Sequence, residues 1–391
     1  MRTLQILSIT LLFALLATSC KKKKVNNLKD EFKANYVEIV YANYEDALND
    51  AKSLRTTINA FVAAPTEANF ELAKSSWITS RESYGQTEAF RFSGGPIDDE
   101  DGPEGALNAW PLDEGYIDYV SGNTTSGLIN DLSITIDAAT IKSKNEEGGE
   151  TNVSIGYHAI EFLLWGQDDA NTSLKTPGSR PYTDFVVGAS GTAANQARRG
   201  DYLKLCADIL VEDLQSLVDE WKSGGSYRTA FMAEDSDVSL TNILTGMGVL
   251  GKSELAGERI FTALDNQDQE DEHSCFSDNT HRDIILNFIG IKNIYEGSYT
   301  RTDGSVISGV GISDIIEKQK KKLNKELTDL FASCNSNVNA ISIPFDYALT
   351  LETPGGAGSI NESVSSLQSL GDKIAEAGAE LGLTIDTSLP E

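Results

Sequence analysis

The sequence predicts an all-α protein built from two bundle-like helical halves. Apolar residues recur at helical spacing along most of the chain, and clear alternating strand patterns are scarce. Polar connections rich in glycine and proline separate the helical stretches. Packed antiparallel helices are the natural architecture for such a chain, and 391 residues suffice for two bundles.

The chain begins with a segment typical of lipoprotein export. Arg2 precedes a short apolar core at 7–17, and small residues then lead to Cys20. An apolar run this short predicts a signal peptide rather than a membrane span. We therefore expect residues 1–19 to be removed and Cys20 to be lipidated, since this stretch resembles a bacterial lipobox. An ordinary secretory signal cut nearby is the alternative.

The lipid on Cys20 would be the membrane anchor, and residues 20–27 would form a basic linker. Its lysines at 21–24 either rest on anionic headgroups or act as a solvated spacer. Lys21 does not resemble an acidic retention or surface-export signal. We expect a cell-envelope protein that is lipid-anchored at the periplasmic face of the outer membrane.

The net charge excludes one class of partner. Acidic residues number 59 against 32 basic ones, which gives a formal charge of −27. Such a surface repels phosphate backbones, so we expect no nucleic-acid partner.

The helical stretches assign the two halves. In chain order, the predicted helical stretches are 28–62, 66–90, 157–165, 197–221, 239–264, 313–332 and 361–381. Thr66 is a suitable N-cap for the second of them. We predict an N-terminal half at 28–170, an irregular connection at 171–195 and a C-terminal half at 196–391.

Cysteine usage suggests one disulfide. The envelope is oxidising, and Cys275 and Cys334 both flank loop-like sequence, so we predict that they pair. Cys206 lies in an apolar helical pattern and is expected to be a buried free thiol.

Three stretches carry candidate chemistry, and the first is a helical stripe. Trp77, Arg81, Tyr84 and Glu88 follow at spacings of four, three and four, which places them on one helix face. That mixture fits a polar site lined by aromatic residues, in which Arg81 forms a buried pair or holds an anion. The alternative is a purely structural ion pair of Arg81 inside a bundle.

The second stretch combines a histidine and a carboxylate. His158 and Glu161 are three residues apart, so both project from one side of a helix and could offer two ligands to iron or manganese. Gly156 allows close approach of a neighbouring backbone. The alternative is a hydrogen-bonded pair without a metal.

The third stretch, 268–281, is rich in oxygen and nitrogen ligands. It contains Glu272, His273, Ser274 and Asp278, and two of the three histidines of the chain. Such a cluster suits a hard or borderline cation. A solvated acidic loop is the alternative, although the embedded Cys275 argues for partial burial.

Together these stretches resemble the imelysin family. The matching features are the Trp77–Arg81–Tyr84 stripe, the Gly-x-His-x-x-Glu motif that continues to Trp165 and Gly166, and the segment at 272–280 followed by 287–297. Members of this family are described as iron-regulated envelope proteins and as a membrane peptidase. The resemblance implies a site near the junction of two helical halves and a role in iron uptake.

Three functions stay open. The favoured one is an envelope lipoprotein that binds a metal, with iron ranked above zinc and with His158, Glu161, Glu88, Glu272 and Asp278 as candidate ligands. Trp77, Arg81, Tyr84, Gly156, Trp165, His273 and Ser274 would line the site. The alternatives are a metallopeptidase and a module that binds a partner in an envelope iron-uptake complex.

The sequence does not favour a proteolytic function. A common zinc protease needs His-Glu-x-x-His, and the inverted type needs a histidine directly after the glutamate. Phe162 follows Glu161, so neither pattern is present at this motif. Ser274 lies beside His273, but sequence alone does not show whether the two form a nucleophile and base pair.

Overall fold

The structure is a computed structural model that describes residues 2–99, 102–168 and 175–389, and for residues 2–24 it describes the backbone alone. Its α-helices are, in chain order, α1 (Arg2–Ala63), α2 (Glu67–Thr87), α3 (Glu104–Leu107), α4 (Glu114–Ile117), α5 (Ala138–Lys142), α6 (Gly156–Trp165), α7 (Gln196–Trp221), α8 (Ser226–Ala233), α9 (Ser236–Val249), α10 (Thr262–Asn266), α11 (Thr280–Glu296), α12 (Ile312–Val338), α13 (Phe345–Leu349) and α14 (Ser359–Glu380).

Other regular segments are short. A π-helical segment, Leu250–Phe261, joins α9 to α10. Strands β1 (Ser298–Thr300) and β2 (Val306–Ser308) form an antiparallel hairpin in which Tyr299 pairs with Ile307. Single 3₁₀ turns occur at Glu88–Phe90, Tyr182–Phe185, Gln269–Asp271 and Cys275–Ser277. The predicted all-α fold class is therefore confirmed.

The helices pack as two bundles. Helices α1, α2, α6 and α7 form the first bundle, and α9, the π-helical segment, α11, α12 and α14 form the second. Helix α7 packs against α1 and α6, so it joins the first bundle although it follows the irregular connection that was expected to divide the halves. Its apolar face, which includes Leu203, Leu210 and Leu214, is buried in that bundle.

The bundles meet where α2 crosses α11. Gly85 of α2 and Gly290 of α11 lie at this crossing: a Cβ on Gly290 would come 2.3 Å from the carbonyl oxygen of Gln86, and one on Gly85 would come 2.9 Å from Leu286 Cβ. Side chains at both positions would force the helices apart. Two glycines therefore set the close approach that brings the polar faces of α2 and α11 together.

Local signals explain the start of α2. Thr66 has extended backbone angles, and its hydroxyl accepts a hydrogen bond from the backbone N–H of Asn69. This is the N-cap that the sequence predicts, and it satisfies one of the backbone donors that an α-helix leaves free at its start.

The predicted disulfide is wrong. Cys275 and Cys334 are both free thiols, as is Cys206. Cys275 is buried in the 3₁₀ turn that contacts α6, whereas Cys334 is buried on the face of α12 that packs against α14. The two sulfurs thus belong to different packing environments. Cys206 is buried in α7, as predicted.

The expected lipid anchor falls on residues whose side chains lie outside the described part of the chain. The side chains of Cys20 and of the lysines at 21–24 lie outside the described residues, as do residues 169–174 of the irregular connection. Within the described parts of the chain, no helix combines the length and apolar character needed to cross a bilayer.

Candidate functional site

The first element of the site is a buried ion pair between α2 and α11. Arg81 donates through Nε and Nη2 to Oδ1 of Asp283, at 3.3 and 3.0 Å. Both side chains are almost fully buried. The guanidinium also lies against the rings of Trp77, Tyr84 and Tyr157. The predicted stripe therefore forms a buried pair inside the fold, and it supports the site rather than facing solvent.

Asp283 also orients His273. Its second oxygen accepts from His273 Nδ1 at 2.9 Å and from the Ser274 hydroxyl at 2.5 Å. Burial alone would raise the pKa of Asp283, but the Arg81 guanidinium and the His273 hydrogen bond hold it well below its usual range. Burial lowers the pKa of His273. A neutral His273 therefore carries its proton on Nδ1 and keeps a lone pair on Nε2.

This geometry excludes Ser274 and His273 as a nucleophile and base pair in the observed arrangement. Both groups donate to the same carboxylate of Asp283, and the Nε2 of His273 lies 3.2 Å from Nδ2 of Asn108. A catalytic serine would instead donate to the imidazole.

Asn108 joins two parts of the site. Its Oδ1 accepts from Arg81 Nη1 at 2.6 Å, so its Nδ2 donates toward His273 Nε2 and toward Glu88 Oε1 at 3.3 Å. Gly156 explains how Asn108 comes so close to α6. It has a φ of +89°, and a Cβ there would lie 2.7 Å from the carbonyl oxygen of Leu107.

The second element is the pair formed by the predicted His158 and Glu161. His158 Nδ1 lies 2.8 Å from Glu161 Oε2, and Oε1 of the same carboxylate accepts from the backbone N–H and hydroxyl of Ser277 at 3.0 and 2.6 Å. The Nε2 of His158 is buried without a hydrogen-bond partner among the described residues. A polar atom in that position is costly unless a ligand satisfies it.

Burial shifts the pKa of both partners. It raises the pKa of Glu161 to about 8, against the opposing effect of the Ser277 hydrogen bonds, and it lowers the pKa of His158 well below its usual value. When Glu161 is ionised, Nδ1 of His158 donates to it and the Nε2 lone pair is exposed to the site. When Glu161 is protonated, its proton lies on the shared hydrogen bond and Nε2 becomes a donor.

His158 lies beside His273. Their ring centroids are 4.7 Å apart in an edge-to-face arrangement. Trp110 packs edge-on against His158 at 4.9 Å and reaches His273 at 6.4 Å. We call His158, His273, Glu161, Asp283 and Trp110 the histidine cluster.

An acidic cleft of about 530 Å³ opens above this cluster. Its inner wall includes Asn108, Trp110 and His273, and Arg91 and Arg259 are its cations. Burial raises the pKa of Glu104 in this cleft to about 7. The carboxylates that line it are Glu104, Glu146, Glu150, Glu254, Glu258 and Asp271.

Glu88 lies under the cleft and is fully paired. Its Oε2 accepts from Arg259 Nη2 at 2.6 Å, and its Oε1 accepts from Asn108. Burial would raise the pKa of Glu88, but the guanidinium groups of Arg259 and Arg91 outweigh it and hold the pKa at about 2. These bonds occupy the carboxylate that was predicted as a metal ligand.

Glu88→Gln is expected to lower the free energy of unfolding at neutral pH by about 3 kcal/mol, because glutamine mimics the protonated carboxyl and each pH unit between the two pKa values is worth about 1.4 kcal/mol. The folded-state pKa is depressed from 4.5 to about 2. The ionised Glu88 carboxylate therefore contributes fully to the free energy of unfolding above pH 4.5, and this contribution is lost as the pH falls toward 2. Urea denaturation of both proteins at several pH values measures this narrowing difference.

Glu258→Gln is the matched control, since Glu258 lines the same cleft but is exposed. An unfolding curve of Glu88→Gln that equals the wild type at neutral pH would contradict the structural role of Glu88.

Some of the remaining predicted residues pack around the site, and others lie away from it. Trp77 donates its indole N–H to the carbonyl oxygen of Tyr157 and packs against Trp165 at 5.4 Å, which fixes α6 on α2. Glu272 and Asp278 do not join His158 and Glu161. Among the described residues, the one group of three or more ligand atoms within 4.8 Å consists of Asp168, Asp278 and Asp346. The five predicted ligands are thus not assembled around one point.

Sequence reasoning did not identify several central residues. Asn108, Trp110 and Ser277 lie in loop or 3₁₀ segments without periodicity, so no pattern pointed to them. Asp283 and Arg259 were more accessible to prediction. Arg259 shares a helix face with Leu255, Ala256 and Ala263, and Asp283 directly precedes the apolar run at 284–286. A charge next to such apolar positions is a sign of a buried partner.

The chain is similar to known proteins of one family. The family model described as imelysin, a peptidase family, matches residues 40–374. Iron-regulated protein A of Synechococcus elongatus is 25% identical over 348 residues, which cover 86% of this chain and 82% of that protein.

The fold has a solved counterpart. A crystal structure from Parabacteroides distasonis, described as an iron-regulated protein A precursor, superposes with a TM-score of 0.70 at 19% identity and covers 91% of this chain and 95% of the other. At that identity the likeness concerns the fold. Because the family model spans most of the chain and includes the whole histidine cluster, the protein belongs to the imelysin family.

Proposed function

We propose that this protein binds iron through Nε2 of His158 and acts in bacterial iron uptake at the cell envelope. The observation that carries the proposal is the buried Nε2 atom without a partner, on an imidazole whose other nitrogen is hydrogen-bonded to Glu161. Metal-binding histidines commonly have this arrangement, in which the carboxylate fixes the tautomer and makes the imidazole a better ligand.

His273 is the best second ligand. Its ring lies against that of His158, and Asp283 fixes its proton on Nδ1, so its Nε2 offers a lone pair. Nε2 of His158 offers one as well when Glu161 is ionised. Asn108 now donates to His273 Nε2 and would have to turn away. Two imidazoles with water or carboxylate oxygens suit Fe²⁺ and also Zn²⁺.

The acidic cleft supports cation entry. Its carboxylates outnumber its two arginines, and a cleft lined mostly by one sign of charge concentrates counter-ions. The cleft reaches His273 directly, whereas Trp110 covers His158. In this proposal Trp110 turns aside when the cation passes from the cleft to Nε2.

Iron is preferred over zinc because of the relatives. The Synechococcus protein is named for iron regulation, and the solved structure carries the same description. We extend the proposal to the location: Cys20 carries a lipid anchor, the body lies at the periplasmic face of the outer membrane, and the protein works with envelope iron-uptake partners.

The peptidase alternative has weaker support. It rests on the family label, whereas the hydroxyl of Ser274 faces Asp283 and the motif at His158 lacks the second histidine of a zinc protease. No observation on the described residues favours a protein-binding role for the histidine cluster over a metal.

Equilibrium dialysis of the full chain against Fe²⁺ without oxygen, followed by elemental analysis, tests the proposal. Wild-type protein is expected to retain iron in a stoichiometric amount, and His158→Ala is expected to lose it because the unpartnered ligand is gone. The matched control is His281→Ala, which removes a partly buried histidine outside the cluster. Equal iron in wild-type and His158→Ala protein, both folded by circular dichroism, would overturn the assignment.

A further inference from the structure

One short segment covers both histidines of the histidine cluster. Residues 108–111 run between α3 and α4, and we call this segment the lid. Nδ2 of Asn108 lies 3.2 Å from Nε2 of His273, and the ring of Trp110 packs edge-on against that of His158 at 4.9 Å. The two covering side chains are two residues apart in the chain. A single displacement of this segment would therefore uncover both imidazoles.

The lid is fixed at its ends and held loosely between them. Leu107 and Leu112, which flank it, are both buried. Within the described parts of the chain, the backbone of residues 109–111 makes no hydrogen bond, and the indole N–H of Trp110 has no partner either. Segments with few hydrogen bonds of their own open at a low cost in free energy.

Two side chains keep the lid closed. Oδ1 of Asn108 accepts from Nη1 of Arg81 at 2.6 Å, and its Nδ2 donates to Oε1 of Glu88 at 3.3 Å. These bonds fasten the lid to α2 and to the 3₁₀ turn that follows it. The second attachment is the ring of Trp110, which also packs against Phe276 at 5.6 Å. Closure therefore depends on side chains and not on a backbone ladder.

Open space lies in front of the lid. All four of its residues line the acidic cleft of about 530 Å³. Pro111 is exposed, and Ala109 and Trp110 are half-buried. An outward movement would therefore carry the segment into the cleft without displacing the core.

We propose that residues 108–111 swing into the cleft as one unit and control access to Nε2 of both histidines. In the closed state, the Asn108 amide competes with any ligand for the lone pair of His273, and Trp110 covers His158. A ligand that needs both imidazoles binds only the open state, so its apparent affinity is lowered in proportion to the fraction of molecules that are open. The use of the lid in iron binding rests on the proposed function, whereas its movement requires no metal.

Histidine modification of the metal-free full chain tests the movement. Diethyl pyrocarbonate acylates an accessible imidazole nitrogen, and mass spectrometry gives a separate rate for each histidine. Trp110→Ala removes one attachment of the lid, and Asn108→Ala removes the other. Each variant is expected to raise the rates of both His158 and His273, including the histidine that the substituted residue does not cover. Open states are commonly populated at roughly 0.1–10%, so the expected increase is roughly tenfold or more.

Two controls accompany this test. His281 lies outside the cluster, so its rate should be the same in all proteins. Thr262→Ala removes a side chain that lines the same cleft from α10, outside the lid, so it should leave all three rates at their wild-type values.

The two variants also decide between a single lid and two separate covers. If Asn108→Ala accelerates His273 alone and Trp110→Ala accelerates His158 alone, the residues move separately and the proposal is overturned. Unchanged rates in both variants would overturn it as well. If one variant fails to fold by circular dichroism, the other still decides, because each is judged on the histidine that it does not cover.

Fe²⁺ uptake without oxygen, measured by rapid chelator quench, connects the lid to iron. In the wild type the observed rate should level off as Fe²⁺ increases, because opening becomes limiting, whereas in Trp110→Ala it should continue to rise. Accelerated modification in the variants with no iron bound by any protein would support the lid and overturn the proposed function. Iron bound at equal rates in both proteins, with unchanged modification, would overturn the lid alone.

Discussion

Asp283→Ala is expected to lower the free energy of unfolding by about 3–5 kcal/mol, because it leaves a guanidinium buried without its counter-charge. Arg81 is 1% exposed, and Asp283 accepts two of its hydrogen bonds. The same substitution removes the acceptor for His273 and Ser274. Urea denaturation followed by circular dichroism measures the effect.

A double substitution identifies the cause. Arg81→Met combined with Asp283→Leu removes both charges and should recover part of the lost stability, since well-packed apolar residues often replace a buried pair at little cost. Asp201→Ala is the control on an exposed helix position, where the expected loss is small. A loss for Asp283→Ala no larger than for Asp201→Ala would show that the buried pair does not support the junction of the bundles.

Above about pH 8, where the wild-type Glu161 is ionised, Glu161→Gln is expected to weaken iron binding by roughly 100-fold, the upper end of the range for partners of metal-bound histidines. The reason is the direction of its hydrogen bonds. Ser277 donates its backbone N–H to Oε1, so the glutamine oxygen must take that position and its NH₂ group must face His158. Nδ1 then becomes the acceptor, and the proton moves to Nε2, where it blocks the metal.

Ser277→Ala provides the matched control for this prediction. It removes the hydroxyl donor but keeps the backbone N–H, so the tautomer of His158 should not change. Iron titrations of the three proteins should rank wild type and Ser277→Ala close together, with Glu161→Gln far weaker. If Glu161→Gln binds iron as tightly as the wild type, the carboxylate does not control the ligand.

Local pattern was enough to predict the fold class. Helical periodicity predicted α1, α2, α7 and α14, and Thr66 was recognised as an N-cap because that chemistry acts within a few residues. The packing of α7 with the first bundle was not predictable in this way. Which helix a buried face meets depends on contacts distant in sequence, such as the α2–α11 crossing at Gly85 and Gly290.

Only the part of the candidate site that depends on contacts close in sequence was predicted. The pairing of His158 with Glu161 follows from a spacing of three residues on one helix, and the structure shows it. The partner of Arg81 proved to be Asp283, about 200 residues away, and the partners of Glu88 are Asn108 and Arg259. Composition suggested one site for the acidic residues at 268–281, whereas folding places Asp271 in the cleft and Asp278 beside Asp168 and Asp346.

The most direct test of the central claim is anomalous scattering at the iron edge from crystals of the iron-loaded protein. The proposed function predicts an anomalous peak bonded to Nε2 of His158, with Glu161 retained on Nδ1 and Trp110 displaced from its present contact. Iron-loaded crystals with no peak at His158, or with a peak beside Asp278 and Asp346 alone, would contradict it.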